Sequence, residues 1–308
     1  MTDPNAPLYS LVAGEGSGAL LGEAAGDVAG GGHPSGYSCQ TQQATVVAYH
    51  LLRNDGIDRD LLANEMAELG GSAAEPTVYR GMSPGFAEWL EGAQVGNPVA
   101  TADSSTEPAI RAVPVGVWFR RDPEGLVEAA MSAARLTHID GESVVTAAAL
   151  AAAVAGACFG QSGNDLRLAA AEIAEKAAAM VSEEPYRYGN SDRLAGIRQR
   201  ILTAPNTEGG WQPAQTLAIA LDLSVSVADE PYRQIEEAAR RGGSLLGGMV
   251  GAIVGARSGL RLWPWVIPND IWFAEIGRRM VSRNQETRDL PVPYSVEERI
   301  TSGLDRDL

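Results

Sequence analysis

The sequence predicts an all-α protein, and three observations carry that reading. Apolar residues recur at helical spacing from end to end, while no alternating strand pattern lasts more than a few residues. Only 6% of the 308 residues are aromatic, so the apolar content comes mainly from Ala, Val, Leu and Ile. Alanine is the best helix former, and small side chains let helices approach closely. Finally, Gly18, Gly22 and Gly26 recur every fourth residue in an early helical stretch, and Gly247, Gly251 and Gly255 do so in a late one. A glycine inside a helix costs up to about 1 kcal/mol against alanine. Two such rows therefore point to helices whose backbones pack directly together.

In chain order, helices are predicted over residues 14–28, 42–53 and 59–69. Residues 70–108 are rich in Gly, Ser and Pro and form an irregular excursion, with a short helix at 84–90. Helix 124–135 starts behind Asp122-Pro123-Glu124, which puts proline in the first turn. Asp140 is placed to cap the next helix, 142–159. Residues 143–164 carry no charge, yet the stretch is alanine-dominated and soon meets Gln161-Ser162-Gly163. Alanine contributes little transfer energy, so a buried core helix is expected rather than a membrane span. Further helices follow over 166–182, 192–202, 213–227, 232–255 and 270–281. The expected organisation is an N-terminal tail (1–9), one helical domain (10–283) and a C-terminal extension (284–308), extended or docked on the surface. A domain of this size buries about 75% of its unfolded surface and needs no disulfides.

The net charge of −15 argues against nucleic-acid binding, which requires basic patches. Lys176 is the only lysine, so almost all positive charge is arginine, spread along the whole chain. Cys39 and Cys158 make neither a disulfide framework nor a zinc site. The opening Met1-Thr2-Asp3-Pro4-Asn5 has no basic run or apolar signal segment, and a cytoplasmic protein is expected.

Several short segments fall in a recognisable order. They are Gly18-Ala19-Leu20-Leu21-Gly22 with Ala25-Gly26-Asp27, then Ile110-Arg111-Ala112-Val113-Pro114-Val115-Gly116, Leu136-Thr137-His138, and Gly251-Ala252-Ile253-Val254-Gly255-Ala256. Together they resemble the ADP-ribosylglycohydrolase family. The resemblance implies an all-α, single-domain orthogonal helical bundle in which the two glycine-row helices floor a central cleft. Such enzymes use two magnesium ions to cut a bond at the anomeric carbon of ADP-ribose.

The resemblance also implies where the metal ligands should be. A Ser/Thr-Asp-Asp-Thr segment supplies half of them, and an Asp-x-Asp-Thr segment opening the late glycine-row helix supplies others. Here the first segment reads Ser38-Cys39-Gln40-Thr41 and the second Gly242-Gly243-Ser244-Leu245. Magnesium prefers hard oxygen ligands in octahedral geometry. With all four aspartates replaced, no metal and no cofactor are expected. The loop that faces phosphate in the family reads Ser105-Thr106-Glu107-Pro108, where Glu107 adds negative charge and Pro108 removes an amide donor.

The remaining chemistry leaves alternatives open. Glu23, Asp27 and Cys39 are the candidate catalytic groups. Cys39 is either a nucleophile with His33 or His138 as base, or a small buried residue. Glu23 lies one helical turn before Asp27 and either faces the cleft or a solvated surface. Asp27 is a cap or an outer-shell group. Arg241, beside Arg240, either fills the space of the lost ions, neutralising Asp27 or accepting an anion, or forms a surface pair. His138 is either a cleft residue or a satisfied core histidine at a helix entry. The Trp263-Pro264-Trp265 stretch with Trp272 is either an aromatic ligand wall or a packed corner. The candidate ligand-binding set is Ser38, Cys39, Gln40, Glu107, Arg111, His138, Arg241 and Ser244.

The leading expectation is a non-hydrolytic relative with a ligand-binding, regulatory or scaffold role, its partner being an ADP-ribose-like or other small molecule, or a protein. The alternative is a metal-independent hydrolase of an ADP-ribosyl or nucleoside-like glycoside, since such cleavage can run on two carboxylates.

Overall fold

A computed structural model describes residues 14–71, 77–184, 187–188, 191–203, 212–225, 230–261 and 263–301. Among them there is no strand. The extended backbone meets only in isolated bridges, His33 with Gly36 and Thr101 with His138.

The body is organised around two long helices, α1 (Gly14–Ala29) and α12 (Pro231–Ser258). Their glycine rows face each other. A β-carbon on Gly22 would strike the Gly251 carbonyl, one on Gly18 that of Gly255, and one on Gly26 that of Gly247. Backbone-to-backbone packing at this distance is available only to glycine, which explains the four-residue spacing in both helices. The expectation of two closely packed helices holds.

Between them come α2 (Cys39–Asn54), α3 (Arg59–Leu69), α4 (Pro84–Gln94), α5 (Glu107–Ile110), α6 (Val113–Trp118), α7 (Pro123–Ala134), α8 (Gly141–Ala157), α9 (Asn164–Glu183), α10 (Ile197–Leu202) and α11 (Pro213–Val225). Asp140 caps α8 by accepting from the Ser143 amide at 2.9 Å, as its position foretold. Every residue of α8 is buried. It is the central core helix, and no helix among the described residues is long and apolar enough to cross a membrane.

Several expectations are corrected in detail. The segment read as one helix over 192–202 is a 3₁₀ turn at Ser191–Leu194 followed by α10, divided at left-handed Gly196 (φ 70°). Helix α12 is interrupted at Gly242 and Gly243, where Gly243 has φ 64°. Helix α2 begins three residues earlier than expected, because Ser38 caps it and draws Cys39, Gln40 and Thr41 into its first turn. The short helices α5 and α6 were not foreseen. Their turns are only four and six residues long, too short for a periodicity to register.

The chain closes with α13 (Asp270–Ser282) and α14 (Pro293–Thr301). The C-terminal extension is thus helical at 293–301 rather than extended, with proline at its first position. It is also docked through more than its surface. Val296 and Ile300 are buried, and Glu297 is wholly so.

Candidate functional site

Helix α1 brings Glu23 and Asp27 to one face, a turn apart, and both are buried at 1% exposure. Glu23 thus faces inward rather than solvent. Opposite them stands the first turn of α2. The Ser38 amide and hydroxyl donate to Asp27 Oδ2 at 2.9 and 2.8 Å. Thr41 Oγ1 lies 2.7 Å from the same oxygen and 2.8 Å from Glu23 Oε1.

That arrangement assigns a proton. A threonine hydroxyl has one hydrogen to give, so it cannot donate fully to both carboxylates. Asp27 Oδ2 gathers three donors and is the better place for negative charge. Glu23 then carries the proton and donates to Thr41, which donates to Asp27. Burial pushes Glu23 well above the usual carboxylate range, the nearby Asp27 charge adds to this, and the Thr41 hydrogen bond only partly opposes it. Burial also raises Asp27, against the lowering effect of its Ser38 and Thr41 hydrogen bonds.

A second cluster adjoins the first through Cys39. Gln43 Nε2 lies 3.1 Å from Cys39 Sγ and donates to Glu107 Oε1 at 2.7 Å. Ser83 Oγ donates to Glu107 Oε2 at 2.5 Å. Burial pushes the Cys39 thiol well up, and the Glu107 charge reinforces this. A nucleophilic cysteine needs the opposite environment. Arg111 is fully buried, and none of its guanidinium nitrogens meets a hydrogen-bond acceptor among the described residues. Glu23 Oε2, Asp27 Oδ1 and Gln43 Oε1 are likewise without partners. Orphaned polar atoms are costly in a core, and several gathered together mark a place for water or a ligand.

His138 is buried with Nδ1 2.8 Å from Thr137 Oγ1. Burial, with Arg111 nearby, lowers its pKa to about 3, so its imidazole is neutral. The structure therefore gathers Glu23, Asp27, Ser38, Cys39, Glu107, Arg111 and His138 into adjoining clusters. Gln40, beside Cys39, is half-buried. Ser244 stands where α12 resumes after its break, its backbone against Gly30 at the end of α1.

Arg241 stands apart. It forms an ion pair with Glu237 at 2.5 Å and is 41% exposed, and Arg240 pairs with the same carboxylate. The reading in which Arg241 neutralises Asp27 is corrected: Arg241 forms the surface pair that was its alternative, and Asp27 instead accepts hydrogen bonds from Ser38 and Thr41. The aromatic stretch divides. Trp272 is buried and donates to the Pro291 carbonyl at 3.0 Å, as a packed corner does, and it also borders the cavity lined by Pro34, Pro268 and Ile271.

Two neighbours escaped the sequence reading, Gln43 and Ser83, which are ordinary polar residues with no motif of their own, while Thr41 was read only as the last position of the Ser38-Cys39-Gln40-Thr41 segment. Only the helical spacing of 39 and 43, and of 38 and 41 around the turn, hinted that they share a face.

With this geometry in place, the sequence profile of the ADP-ribosylglycohydrolases matches residues 15–281. The chain belongs to the ADP-ribosylglycohydrolase family. Among solved structures, one described as an ADP-ribosylglycohydrolase-related protein complex is similar at 21% identity, with a TM-score of 0.62. The match covers 89% of this chain and 99% of that one, and at such identity it speaks for the fold alone. No curated protein matches the sequence. The family match spans α1 to α13, so both glycine-row helices and the Glu23–Asp27 pair lie within it, while α14 lies beyond.

Proposed function

We propose that this member of the ADP-ribosylglycohydrolase family is non-hydrolytic and acts by binding, in a regulatory or scaffold role, with an ADP-ribose-like small molecule or a protein as its partner. The observation that carries the reading is the donor set at the two metal-ligand segments. At the first, Cys39 is a buried, protonated thiol and Ser38 spends its hydroxyl on Asp27. At the second, Gly242 and Gly243 offer no side chain and Ser244 a single hydroxyl. A pair of magnesium ions calls for several ionised or neutral hard oxygens around each ion. A thiol, an amide and glycines do not fit it.

The retained binding element is the orphaned polar interior. Arg111 offers planar N–H donors, while Glu23, Asp27 and Gln43 offer oxygens without partners. Such groups suit a ligand carrying both hydroxyls and an anionic or carbonyl oxygen.

Calorimetric titration with ADP-ribose, with and without magnesium, tests the reading. Binding that is indifferent to magnesium is expected. Tight binding only in the presence of magnesium would sink it.

A second reading, a metal-independent glycoside hydrolase, is favoured by one observation: Thr41 Oγ1 bridges the buried Glu23 and Asp27 carboxyl groups at 2.8 and 2.7 Å. A neutral carboxyl beside an ionised one is the pairing that acid-assisted glycoside cleavage uses. In this case Glu23 would protonate the leaving group and Asp27 would face the anomeric carbon. Release of ADP-ribose from an N- or O-linked substrate, abolished by Glu23→Gln, is its signature.

A further inference from the structure

The site lies under a short cover, the loop Arg80–Ser83 between α3 and α4. Glycine at 81 has φ 65°, and a β-carbon there would lie 3.9 Å from the Gly32 carbonyl oxygen and 4.0 Å from Ser38 Cβ. The loop thus runs beside Ser38, which donates twice to Asp27. One end is tied to the site itself, by Ser83 Oγ on Glu107 at 2.5 Å. The Arg80 carbonyl accepts from the Cys39 amide at 2.6 Å.

The other end is tied to the C-terminal helix. Arg80 Nη2 reaches Glu297 Oε2 at 2.8 Å, with both side chains 3% exposed or less. The same carboxylate accepts from Gln42 Nε2 and from the Tyr37 hydroxyl, each at 2.8 Å. Gln42 Oε1 in turn accepts from the Arg80 amide at 2.8 Å. Arg80 also donates through Nε to the Tyr37 carbonyl at 3.1 Å and lies over the Tyr37 ring, 4.8 Å from its centroid. One carboxylate from α14 therefore joins the cover to both flanks of the Ser38–Thr41 turn.

We propose that Glu297 is a latch: docking of α14 holds the Arg80–Ser83 loop closed over the Glu23–Asp27 site, and entry of a ligand is coupled to release of that helix. The physical reason is that Tyr37, Gln42 and Arg80, from both flanks of the site, all direct donors at one buried carboxylate of α14. Loss of its charge leaves three donors competing for a weaker partner. The other contacts of the cover, Ser83 with Glu107, the Arg80 carbonyl with Cys39, and Arg80 with Gln42 and Tyr37, lie on the side of the site, so the Arg80–Glu297 pair is a contact by which α14 reaches the loop. The coupling to ligand entry rests on the binding reading above, whereas the latch itself does not.

The test is hydrogen exchange on the full-length protein, wild type against Glu297→Gln, which keeps the shape and removes the charge. Amides of residues 38–43 and 80–83 should exchange about tenfold faster, while those of α8 and the α1–α12 contact stay unchanged. Unchanged exchange at 80–83, or acceleration spread equally into α8, overturns the latch. Glu297→Asp, which restores the charge on a shorter stem, should recover part of the protection; failure to differ from the glutamine variant also counts against it. ADP-ribose supplies the second measurement. A several-fold faster association with the glutamine variant supports the coupling, and equal rates overturn it. If wild type and variant both fail to bind ADP-ribose, the binding reading and the coupling fall together, and the exchange pattern alone decides the latch.

Discussion

The backbones of Gly22 and Gly251 touch across the α1–α12 interface, so that a β-carbon on either would collide with the other's carbonyl oxygen. The neighbouring atoms are main chain on two buried helices and cannot swing away. Gly251→Ala should therefore destabilise the protein by about 3 kcal/mol or more, at the upper end of overpacking effects. Gly56→Ala is the control. Its β-carbon meets nothing within 4 Å, and its effect should stay within about 0.5 kcal/mol. Urea unfolding of both variants beside wild type measures the difference.

The Glu23 proton makes a signed prediction. Its folded-state pKa is raised by burial and by Asp27, so the folded protein holds the proton more tightly than the unfolded chain. Stability from this group is complete below the ordinary glutamate pKa and is lost as pH rises through the folded value. Glu23→Gln keeps a neutral side chain at every pH. The variant should match wild type near pH 4 and exceed it near pH 8 by up to about 3–5 kcal/mol, the scale of an uncompensated buried charge. A gap that stays constant from pH 4 to 8 would contradict the assignment of the proton to Glu23.

His138 predicts the opposite slope. Its folded pKa falls from 6.5 to about 3, so the unfolded chain binds the extra proton first. Its contribution is fully present above about pH 6.5 and declines as the pH drops toward 3. Replacing it with glutamine should flatten the acid limb of the stability curve by on the order of a few kcal/mol. Melting temperatures at half-unit pH steps for wild type and His138→Gln provide the comparison.

The thiols should be unreactive in the native state. Cys39 is buried with its pKa pushed well up, and burial raises Cys158 to about 12. An aromatic disulfide reagent at pH 8 should modify neither at a useful rate, and both once the chain is unfolded in urea. Rapid native-state labelling of Cys39 would revive the nucleophile reading that its surroundings now oppose.

Much of the fold could be read directly from residues. The glycine rows announced their contact because only a missing β-carbon explains glycine at that spacing in a helix. Asp140 and Pro123 marked helix starts through local hydrogen bonding and fixed φ, which depend on nearest neighbours alone. Helix α14 was missed because its decisive residue, Glu297, looks like any surface glutamate on a short amphipathic turn. What buries it are Tyr37, Gln42 and Arg80, more than 200 positions away.

By itself, then, the sequence determined the all-α class, the pairing of α1 with α12 and the non-acidic residues at Cys39-Gln40 and Gly242–Ser244, where the resemblance implies aspartates, since each is written in residue type and local spacing. Only the tertiary structure decided that Thr41 bridges Glu23 and Asp27, that Arg241 is a surface residue and that the buried Arg111 guanidinium meets no hydrogen-bond acceptor among the described residues. Those outcomes depend on which groups distant segments bring within hydrogen-bond reach and on how much water they exclude, and neither is a property of any stretch of chain alone.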